Sequence, residues 1–289
     1  MKICVACRTP FEGQEWRCPA CAWTPPRHLG HPLLAPALAE RTDGFEPRYL
    51  DDLARLEDSY FWFRARKRLI GWALARYFPD AHTFFEVGCG TGEVLAELAT
   101  TCPRLTLAGS EVLSRGIEHA RRRVPGVTLV QMDALDIPFM AEFDVIAAFD
   151  VLEHVADDRR VLGGMRAAVR PGGGAILTVP QHPRLWSASD EYARHQRRYT
   201  RQELVEKIRD AGFRVVRATS FVTLLLPLFV AARLVQRRPG YRYDPLDEYR
   251  IPRAVNAVLG GCMLAERAAI RAGVNWPVGG SLLVVARAA

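Results

Sequence analysis

The sequence predicts an α/β fold built on a doubly wound, seven-stranded, mainly parallel sheet. From residue 83 onward, short apolar segments typical of strands alternate with segments that have the helical period. A glycine-rich turn, Glu86–Gly92, joins the first strand to a helix. Acidic residues stand at the ends of the first four strands. Sheets of this kind bind ligands beside the carboxyl ends of their strands, so we expect the functional residues there.

Composition places the chain among ordinary globular proteins. Of its 289 residues, 49% are hydrophobic and 25% are charged, which excludes disordered and collagen-like classes. The N-terminus, Met1–Cys4, is not followed by the apolar region of a signal peptide. The longest apolar run, residues 221–235, is interrupted by Pro227 and is shorter than the ~20 residues that span a bilayer. We therefore predict a cytoplasmic protein.

Four of the seven cysteines form two pairs, Cys4 with Cys7 and Cys18 with Cys21. Two thiolates separated by two intervening residues can bind one metal ion through a tight turn, and two such pairs supply the four ligands of a tetrahedral Zn²⁺ site. Residues 1–30 are therefore predicted to form a zinc ribbon that depends on its metal for folding. Two disulfides or a redox dithiol are the alternatives. They need an oxidising compartment or a thioredoxin-like context, and the sequence indicates neither.

Residues 31–80 are predicted to be a linker followed by helices. A proline-rich stretch runs from Thr24 to Pro36. Residues 49–78 then carry apolar side chains near the 3.6-residue period, and Pro79 is expected to end that helical segment.

The third region, residues 81–289, contains the sheet. Its predicted strands are 83–87, 105–109, 127–131, 143–149, 175–179, 213–220 and 281–287. Helices are predicted at 91–100, 114–123 and 158–170. A long insertion, residues 221–280, separates the last two strands and includes a predicted helix near 252–271. Its position suggests a lid over the ligand, with extra core packing as the alternative.

The strand ends offer acids to one cleft. Glu86 ends the first strand, Glu111 follows the second at 23 residues after Gly88, and Asp133 and Asp150 follow the next two. These acids suit a ligand with a ribose diol, an adenine amine and a cationic amino acid head. The third glycine comes one residue earlier than in the dinucleotide pattern, and Glu86 would repel a pyrophosphate. The turn therefore favours S-adenosylmethionine over NAD.

Residues 60–220 resemble the class I S-adenosylmethionine-dependent methyltransferases, in their small-molecule type 11/12 branch. The matching segments are Glu86–Gly92, Glu111, Asp133–Ala134, Asp150–Val155 and Arg170–Gly174. The resemblance implies that the last strand is antiparallel and inserted beside the fifth. It also implies cofactor contacts by Arg66, Glu86, Gly88, Cys89, Gly90, Glu111, Val112, Asp133, Ala134, Asp150 and Val151.

The resemblance gives these residues separate roles. Glu86 serves the methionine amino group, Gly88 and Gly90 the methionine and ribose, Glu111 the ribose hydroxyls, Asp133 and Ala134 the adenine, and Asp150 and Val151 the floor under the methionine part. The family commonly has aspartate where this chain has Glu86 and Glu111, which keeps the charge and lengthens the reach. Arg66 would cover the methionine carboxylate, and a solvent-facing helix position is the alternative for it.

Three histidines are candidates for a base. A sulfonium gives up its methyl group by in-line displacement, so a base is needed only if the acceptor loses a proton. His154 follows the fourth strand, His182 follows the fifth, and His195 begins the segment His195–Thr200, which also resembles this branch. Tyr199 is a further candidate, Arg198 could reach the acceptor, and Thr200 is predicted to cap the next helix. A structural role is the alternative for each histidine.

The last third of the chain is basic. Residues 181–289 hold 18 Lys and Arg against 9 Asp and Glu. A solvated basic face is one reading, and a surface for an anionic partner is the other. Residues 221–243 combine apolar and arginine residues, so they suggest an apolar, anionic or lipid-linked acceptor and peripheral contact with a membrane.

Two other functions are alternatives to methylation of a hydroxyl, carboxyl or amine on a small molecule. The ribbon followed by this fold also resembles ribosomal RNA guanine-N1 methyltransferases. The basic excess lies far from the ribbon in sequence, however, and Asp150–Val155 matches the small-molecule branch. A non-catalytic binding domain is the third alternative, and the complete set of cofactor-site acids argues against it.

Overall fold

A seven-stranded mixed sheet is the centre of the computed structural model, which describes residues 1–13, 15–40, 47–238 and 240–289. The strands are β1 Lys2–Ile3, β2 Pro10–Phe11, β3 Arg27–His28, β4 His31–Pro32, β5 Thr83–Val87, β6 Thr106–Glu111, β7 Thr128–Gln131, β8 Phe143–Phe149, β9 Val169–Pro180, β10 Phe213–Phe221 and β11 Ser281–Ala288. The helices are α1 Pro47–Leu56, α2 Phe61–Tyr77, α3 Glu93–Thr101, α4 Ser114–Arg123, α5 Asp158–Ala168, α6 Ala188–Tyr192, α7 Arg201–Asp210, α8 Leu226–Gln236 and α9 Arg253–Arg271.

The order of strands confirms the doubly wound fold. The sheet runs β10-β11-β9-β8-β5-β6-β7. Strands β5 to β9 pair in parallel, whereas β11 is antiparallel to both β9 and β10, as the family resemblance implied. The chain leaves β5 toward β6 and β7 and returns to β8 on its other side. This reversal opens a crevice at the carboxyl ends of β5 and β8, where such folds bind ligands.

Two predicted elements have different bounds. The single helix predicted over residues 49–78 is wrong, because the chain breaks between α1 and α2 at residues 57–60. The break frees Glu57 to turn inward, and its side chain is buried against Thr91 and Arg123. The fifth strand begins at Val169 rather than 175, so α5 ends two residues earlier than predicted.

The N-terminal ribbon packs on the loop that follows β7. Ile3 donates a backbone hydrogen bond to the Pro138 carbonyl (2.8 Å), and the Trp16 ring meets Phe139 edge-on with centroids 5.7 Å apart. The Arg8 guanidinium forms two hydrogen bonds with the Asp136 carboxylate, at 2.6 and 2.9 Å. The ribbon therefore shares one hydrophobic core with the sheet.

The proline-rich stretch predicted as a linker is ordered along the edge of the sheet. β3 and β4 form a hairpin, and Leu34 donates a backbone hydrogen bond to Gln131 at the end of β7 (2.8 Å). The Gln131 side chain accepts from the Ala35 N–H and donates to the Ala35 carbonyl. This contact covers an otherwise open edge strand. Residues 41–46 of the predicted linker lie outside the described residues.

The insertion packs across the N-terminal helices. α9 lies against α2, where the Asn256 side chain accepts from the Phe61 N–H (2.9 Å). The Tyr60 hydroxyl donates to the Glu248 carbonyl (2.9 Å), and the Tyr49 and Tyr249 hydroxyls are 2.8 Å apart. The predicted helix near 252–271 is confirmed as α9. None of the described helices is long and apolar enough to cross a membrane.

The Glu266 carboxylate fixes the entry to the insertion. It is 1% exposed and accepts hydrogen bonds from the backbone N–H groups of Val222, Thr223 and Leu224, at 2.7, 2.6 and 2.8 Å. Replacing Glu266 by alanine should leave three donors without a partner and lower the free energy of unfolding by about 3 kcal/mol. Chemical denaturation measures this, with Glu206→Ala on the exposed face of α7 as the control. Equal losses in both variants would contradict the role of Glu266.

Candidate active site at the crevice between β5 and β8

The glycine-rich turn leaves β5 in a conformation that side chains disfavour. Gly88, Gly90 and Gly92 have φ values of +69°, +52° and +79°. A Cβ on Gly88 would lie 2.6 Å from Val151 Cγ2, so Val151 packs directly on the turn. A Cβ on Gly90 would have no atom of the described residues within 4 Å. The turn therefore presents open backbone to the crevice at Gly90, while Gly88 is closed by Val151.

Glu111 already holds the turn. Its carboxylate accepts backbone hydrogen bonds from Gly90 (3.0 Å), Val112 (2.8 Å) and Leu113 (3.1 Å). Burial raises its pKa, and these three hydrogen bonds oppose the rise. A carboxylate has about four acceptor positions, so little capacity remains for the predicted ribose hydroxyls. Glu111 therefore supports the turn and has room for one further donor.

Glu86 and Arg66 both lie in the buried part of the crevice. Glu86 is 2% exposed, and its Oε2 atom has no hydrogen-bond partner among the described residues. Burial raises its pKa to about 8, opposed by the charge of Arg66. The Arg66 guanidinium is also buried and lies 2.7 Å from Asp150 Oδ2. The solvent-facing alternative for Arg66 is wrong, because α2 turns it into the crevice under Trp62.

Asp150 closes the floor. It has a φ of +56°, its N–H donates to the Thr178 carbonyl (2.9 Å), and its carboxylate accepts from the Thr178 hydroxyl (3.2 Å). These contacts and the ion pair with Arg66 hold the Asp150 side chain between β9 and α2. At the far end, Asp133 accepts from the Leu135 N–H (2.9 Å), and Ala134 packs against the core.

Cys89 contributes only backbone to this surface. The residue is 6% exposed, and its thiol lies under Gly109 of β6. Burial raises the pKa of the thiol well above its usual range. Any contact of Cys89 with a cofactor is therefore made through its main chain.

Sequence reasoning missed two buried acids. Glu93, at the first turn of α3, pairs with Arg66 (3.4 Å) and Lys67 (3.6 Å), and burial raises its pKa to about 8. Glu57 accepts from Thr91 and Arg123 behind the turn. An acid in the first turn of a helix commonly interacts with the helix N-terminus, so the position of Glu93 gave no sign of a role in the crevice. Glu57 lies in the break between α1 and α2, which the apolar pattern does not show.

The structure brings two of the three candidate histidines together. The rings of His154 and His195 meet edge-on, with centroids 4.7 Å apart, beside the Glu153 carboxylate. Burial lowers the pKa of His154 to about 3, and the neighbouring His195 adds to the fall. His154 is therefore neutral at physiological pH. Because its pKa is low, the ring is a weak proton acceptor, so the best-placed base of the sequence prediction is a poor one.

In the segment before α7, two candidate side chains are held in buried structural contacts. Arg198 is buried in an ion pair with Asp190 (2.7 Å), and the Tyr199 hydroxyl donates to Asp158 (2.7 Å). Burial raises the pKa of Tyr199. Neither residue is then free to act on an acceptor, which corrects the expectation for both. The cap prediction is confirmed, since Thr200 accepts from the Glu203 N–H (3.1 Å).

His182 lines a separate cavity of about 460 Å³ next to the end of β9. The other lining residues are Pro183, Arg184, Leu185, Thr200, Leu226 and Val230. The last two come from α8, so the insertion forms one wall. The Nε2 atom of His182 is buried and has no hydrogen-bond partner in the described part of the chain.

The four N-terminal cysteines form a cluster. Their sulfur atoms lie within 4.8 Å of one another, with Cys4 to Cys21 at 3.7 Å and Cys7 to Cys18 at 3.6 Å. Four thiolates around one zinc at Zn–S of about 2.3 Å stand about 3.8 Å apart, so the spacing fits a tetrahedral ion. A disulfide needs an S–S bond of about 2 Å, which these separations exclude for the structure as it stands.

The crevice also fits S-adenosylmethionine. The cofactor carries a cationic amino group for the orphaned Glu86 Oε2 atom, a carboxylate for Arg66 and a ribose for the turn at Gly90. A Cβ on Gly90 would meet no described atom within 4 Å beyond its chain neighbours, so the backbone there is open to a ligand. Glu86 and Arg66 are thus opposite in charge to the groups of S-adenosylmethionine that they would contact.

Comparison with known proteins supports the same assignment. Residues 55–218 match the model of the methyltransferase domain family. The chain is 27% identical over 163 residues to a probable S-adenosylmethionine-dependent methyltransferase of Mycolicibacterium smegmatis, covering 55% of this chain and 62% of the relative. It is 30% identical over 147 residues to the O-methyltransferase cnsE of Penicillium expansum, covering 46% and 52%. The chain thus spans only part of the length of these relatives.

A solved structure shows the same fold. An S-adenosylmethionine-dependent methyltransferase from Thermotoga maritima superposes with a TM-score of 0.52 at 19% identity, covering 84% of this chain and 97% of that one. The family match includes the turn after β5, the acids of the crevice and strand β8, which Asp150 follows. This chain belongs to the methyltransferase domain family.

Proposed function

We propose that the protein transfers the methyl group of S-adenosylmethionine to a hydroxyl, carboxyl or amine of a small acceptor. The observation that carries this proposal is the set of buried charges around Arg66, at the carboxyl ends of β5 and β8. Burying so many acids at a ligand crevice is costly unless they serve a ligand. Calorimetric titration with S-adenosylhomocysteine tests the proposal, and a protein that does not bind it would overturn it.

The bound cofactor supplies a methyl group activated by a positive sulfur. The protein holds the two ends of the methionine part: the Glu86 carboxylate accepts from the amino group, and Arg66 offers its guanidinium to the carboxylate. Glu111 supports the turn whose backbone at Gly90 faces the ribose. Asp150 and Val151 form the floor below the methionine part. Positioning and exclusion of water supply most of the rate in such a displacement.

The acceptor would enter from the side of the insertion. The cavity between His182 and α8 is apolar along Leu226 and Val230, and Arg184 stands at its edge. Such a cavity suits an apolar acceptor with an anionic group. Among the histidines, we assign His182 to contact with the acceptor, because it is the one that lines the cavity. His154 and His195 stand apart as a pair beside Glu153.

Cofactor binding should release a proton from Glu86. Its pKa of about 8 means that most molecules carry a neutral carboxyl at pH 7, and a cationic ligand favours the ionised form. Binding at pH 7 should therefore release close to one proton, and affinity should rise from pH 6 to pH 8. Calorimetry in buffers of different ionisation enthalpy measures the release. Without ligand, the same raised pKa should make stability fall as pH rises between about 4.5 and 8.

Two isosteric variants test whether the released proton comes from Glu86 or from the neighbouring Glu93. Glu86→Gln should bind the cofactor without releasing a proton, and more weakly. Glu93→Gln should keep the release, because Glu93 faces Arg66 and Lys67 and not the position proposed for the cationic amino group of the cofactor. Release that persists in Glu86→Gln would show that another group titrates.

We also propose that the insertion rests on an anionic membrane surface. Leu228 and Val235 are 56% and 41% exposed and lie seven residues apart on one face of α8. Arg238 and Arg242 follow as exposed cations. An apolar face beside arginines matches a surface of acidic headgroups, and it would bring a lipid-linked acceptor to the cavity.

Vesicle flotation tests this contact. The protein should float with vesicles that contain phosphatidylglycerol and stay below with phosphatidylcholine alone, and added salt should weaken the binding. Leu228→Glu with Val235→Glu should abolish flotation. Val216→Glu, at an exposed position on β10, should leave it unchanged. The contact is refuted if the wild-type protein does not float with acidic vesicles.

A further inference from the structure

A second cluster of metal-ligating side chains lies beside the crevice, outside the cysteine cluster. Glu153, His154 and His195 each place one ligand atom within 4.8 Å of the other two. The turn of 3-10 helix Leu152–His154 follows β8 and presents the first two residues. The third comes from the loop before α7, which is tied to this turn by a hydrogen bond from the Gln196 N–H to the Glu153 carbonyl (2.6 Å).

The Glu153 carboxylate points to a cation in this cluster. Glu153 is fully buried, and neither of its carboxylate oxygens has a hydrogen-bond partner in the part of the chain that the structure describes. Buried carboxylates are almost always paired, hydrogen-bonded or bound to a metal. The imidazoles of His154 and His195 lie close to these oxygens, and neither donates a hydrogen bond to them.

The surroundings of His195 resemble those of a metal ligand. Its Nδ1 atom is 2.8 Å from Asp190 Oδ1, which leaves Nε2 for the cluster. Histidines that bind metals usually donate their other ring nitrogen to a carboxylate or carbonyl, which fixes the ring. Asp190 is itself fixed, since its carboxylate also accepts from Arg198 (2.7 Å) and from the Ser187 N–H (2.9 Å). His154 has its own hydrogen bond to the backbone of Ala193.

We propose that Glu153, His154 and His195 bind one divalent transition-metal ion. Two imidazoles and one carboxylate suit Zn²⁺, Co²⁺ or Fe²⁺ and leave coordination positions open. Ligand atoms around such an ion stand about 3.4 Å apart at bond lengths of about 2.1 Å, so binding would draw the three side chains together by rotation. The open positions leave room for a further ligand, and metal binding at this cluster does not depend on the proposed methyl transfer.

Equilibrium dialysis against Co²⁺ tests the site in the full chain with its cysteine cluster already loaded with zinc. Wild-type protein should take up one equivalent of cobalt beyond the zinc. Glu153→Gln and His195→Ala should each lose that equivalent. His182→Ala, which removes a nearby histidine outside the cluster, should keep it. The cobalt absorption spectrum should show nitrogen and oxygen ligands without the intense charge-transfer bands of thiolates.

Further measurements distinguish loss of the metal site from loss of the fold. Circular dichroism and the thermal midpoint of Glu153→Gln check that it folds, and added cobalt should raise the midpoint of the wild type but not of this variant. Asp190→Asn should weaken cobalt binding about 10- to 100-fold, because Asp190 orients His195. Wild-type protein that takes up no cobalt, or Glu153→Gln that still does, would overturn the site. Failure to bind S-adenosylhomocysteine would count against the methyltransferase proposal alone.

Discussion

Replacing Cys18 by serine should remove the predicted zinc ion from the N-terminal ribbon and unfold residues 1–30. A four-thiolate site contributes on the order of 10 kcal/mol to the folding of a small zinc module, and one lost ligand removes much of it. Cys18 is 1% exposed and belongs to the core that the ribbon shares with the sheet. Unfolding of the ribbon should therefore also destabilise the sheet, because the Trp16 ring would lose its contact with Phe139. The thermal midpoint of unfolding of the whole chain should fall.

The measurement is zinc content after a mild chelator wash, together with calorimetry and limited proteolysis. Wild-type protein should retain one zinc that the wash does not remove, and the variant should retain none. Proteases should cut the ribbon in the variant only. Cys102→Ser, a half-buried thiol outside the cluster, is the matched control and should behave as wild type. An unchanged zinc content and midpoint in Cys18→Ser would refute a structural zinc site.

Replacing Gly90 by alanine should weaken cofactor binding about 10- to 100-fold while leaving the protein folded. No described atom lies within 4 Å of the added Cβ, so the methyl group meets only the space that the cofactor would fill. The left-handed backbone at φ +52° adds a strain of about 1 kcal/mol to the fold. Calorimetric titration with S-adenosylhomocysteine measures the first effect, and chemical denaturation measures the second.

Gly126→Ala is a control for the backbone strain, because Gly126 also has a positive φ. Its φ is +86°, and a Cβ there also meets no described atom within 4 Å, but it lies in the turn before β7, away from the crevice. Gly126→Ala should lose similar stability and keep full affinity. Gly88→Ala should lose more stability than either, because its Cβ would lie 2.6 Å from Val151. Equal affinity in Gly90→Ala and Gly126→Ala would place the cofactor elsewhere.

Local patterns in the sequence determined the seven strands, their parallel winding and the acids at their ends. Alternation of strand and helix segments has few topological solutions, and parallel strands bring their carboxyl ends to one edge. The positions of Glu86, Glu111 and Asp150 at this crevice follow from that rule alone. The pairing of the four cysteines in space was also predictable, because two Cys-x-x-Cys turns suit one ion.

Only the tertiary structure decided which of these residues meet. Glu111 holds the backbone of the glycine-rich turn, and Arg66 is buried among four acids, which depends on how α2 packs on the sheet. The break at residues 57–60 did not show in the periodicity, because the apolar pattern continues through it. His154 and His195 are 41 residues apart in the chain, and only the folding of the segment before α7 onto the end of β8 brings them to Glu153. Residue type and spacing along the chain constrain local structure, whereas burial, pairing and pKa depend on contacts between distant segments.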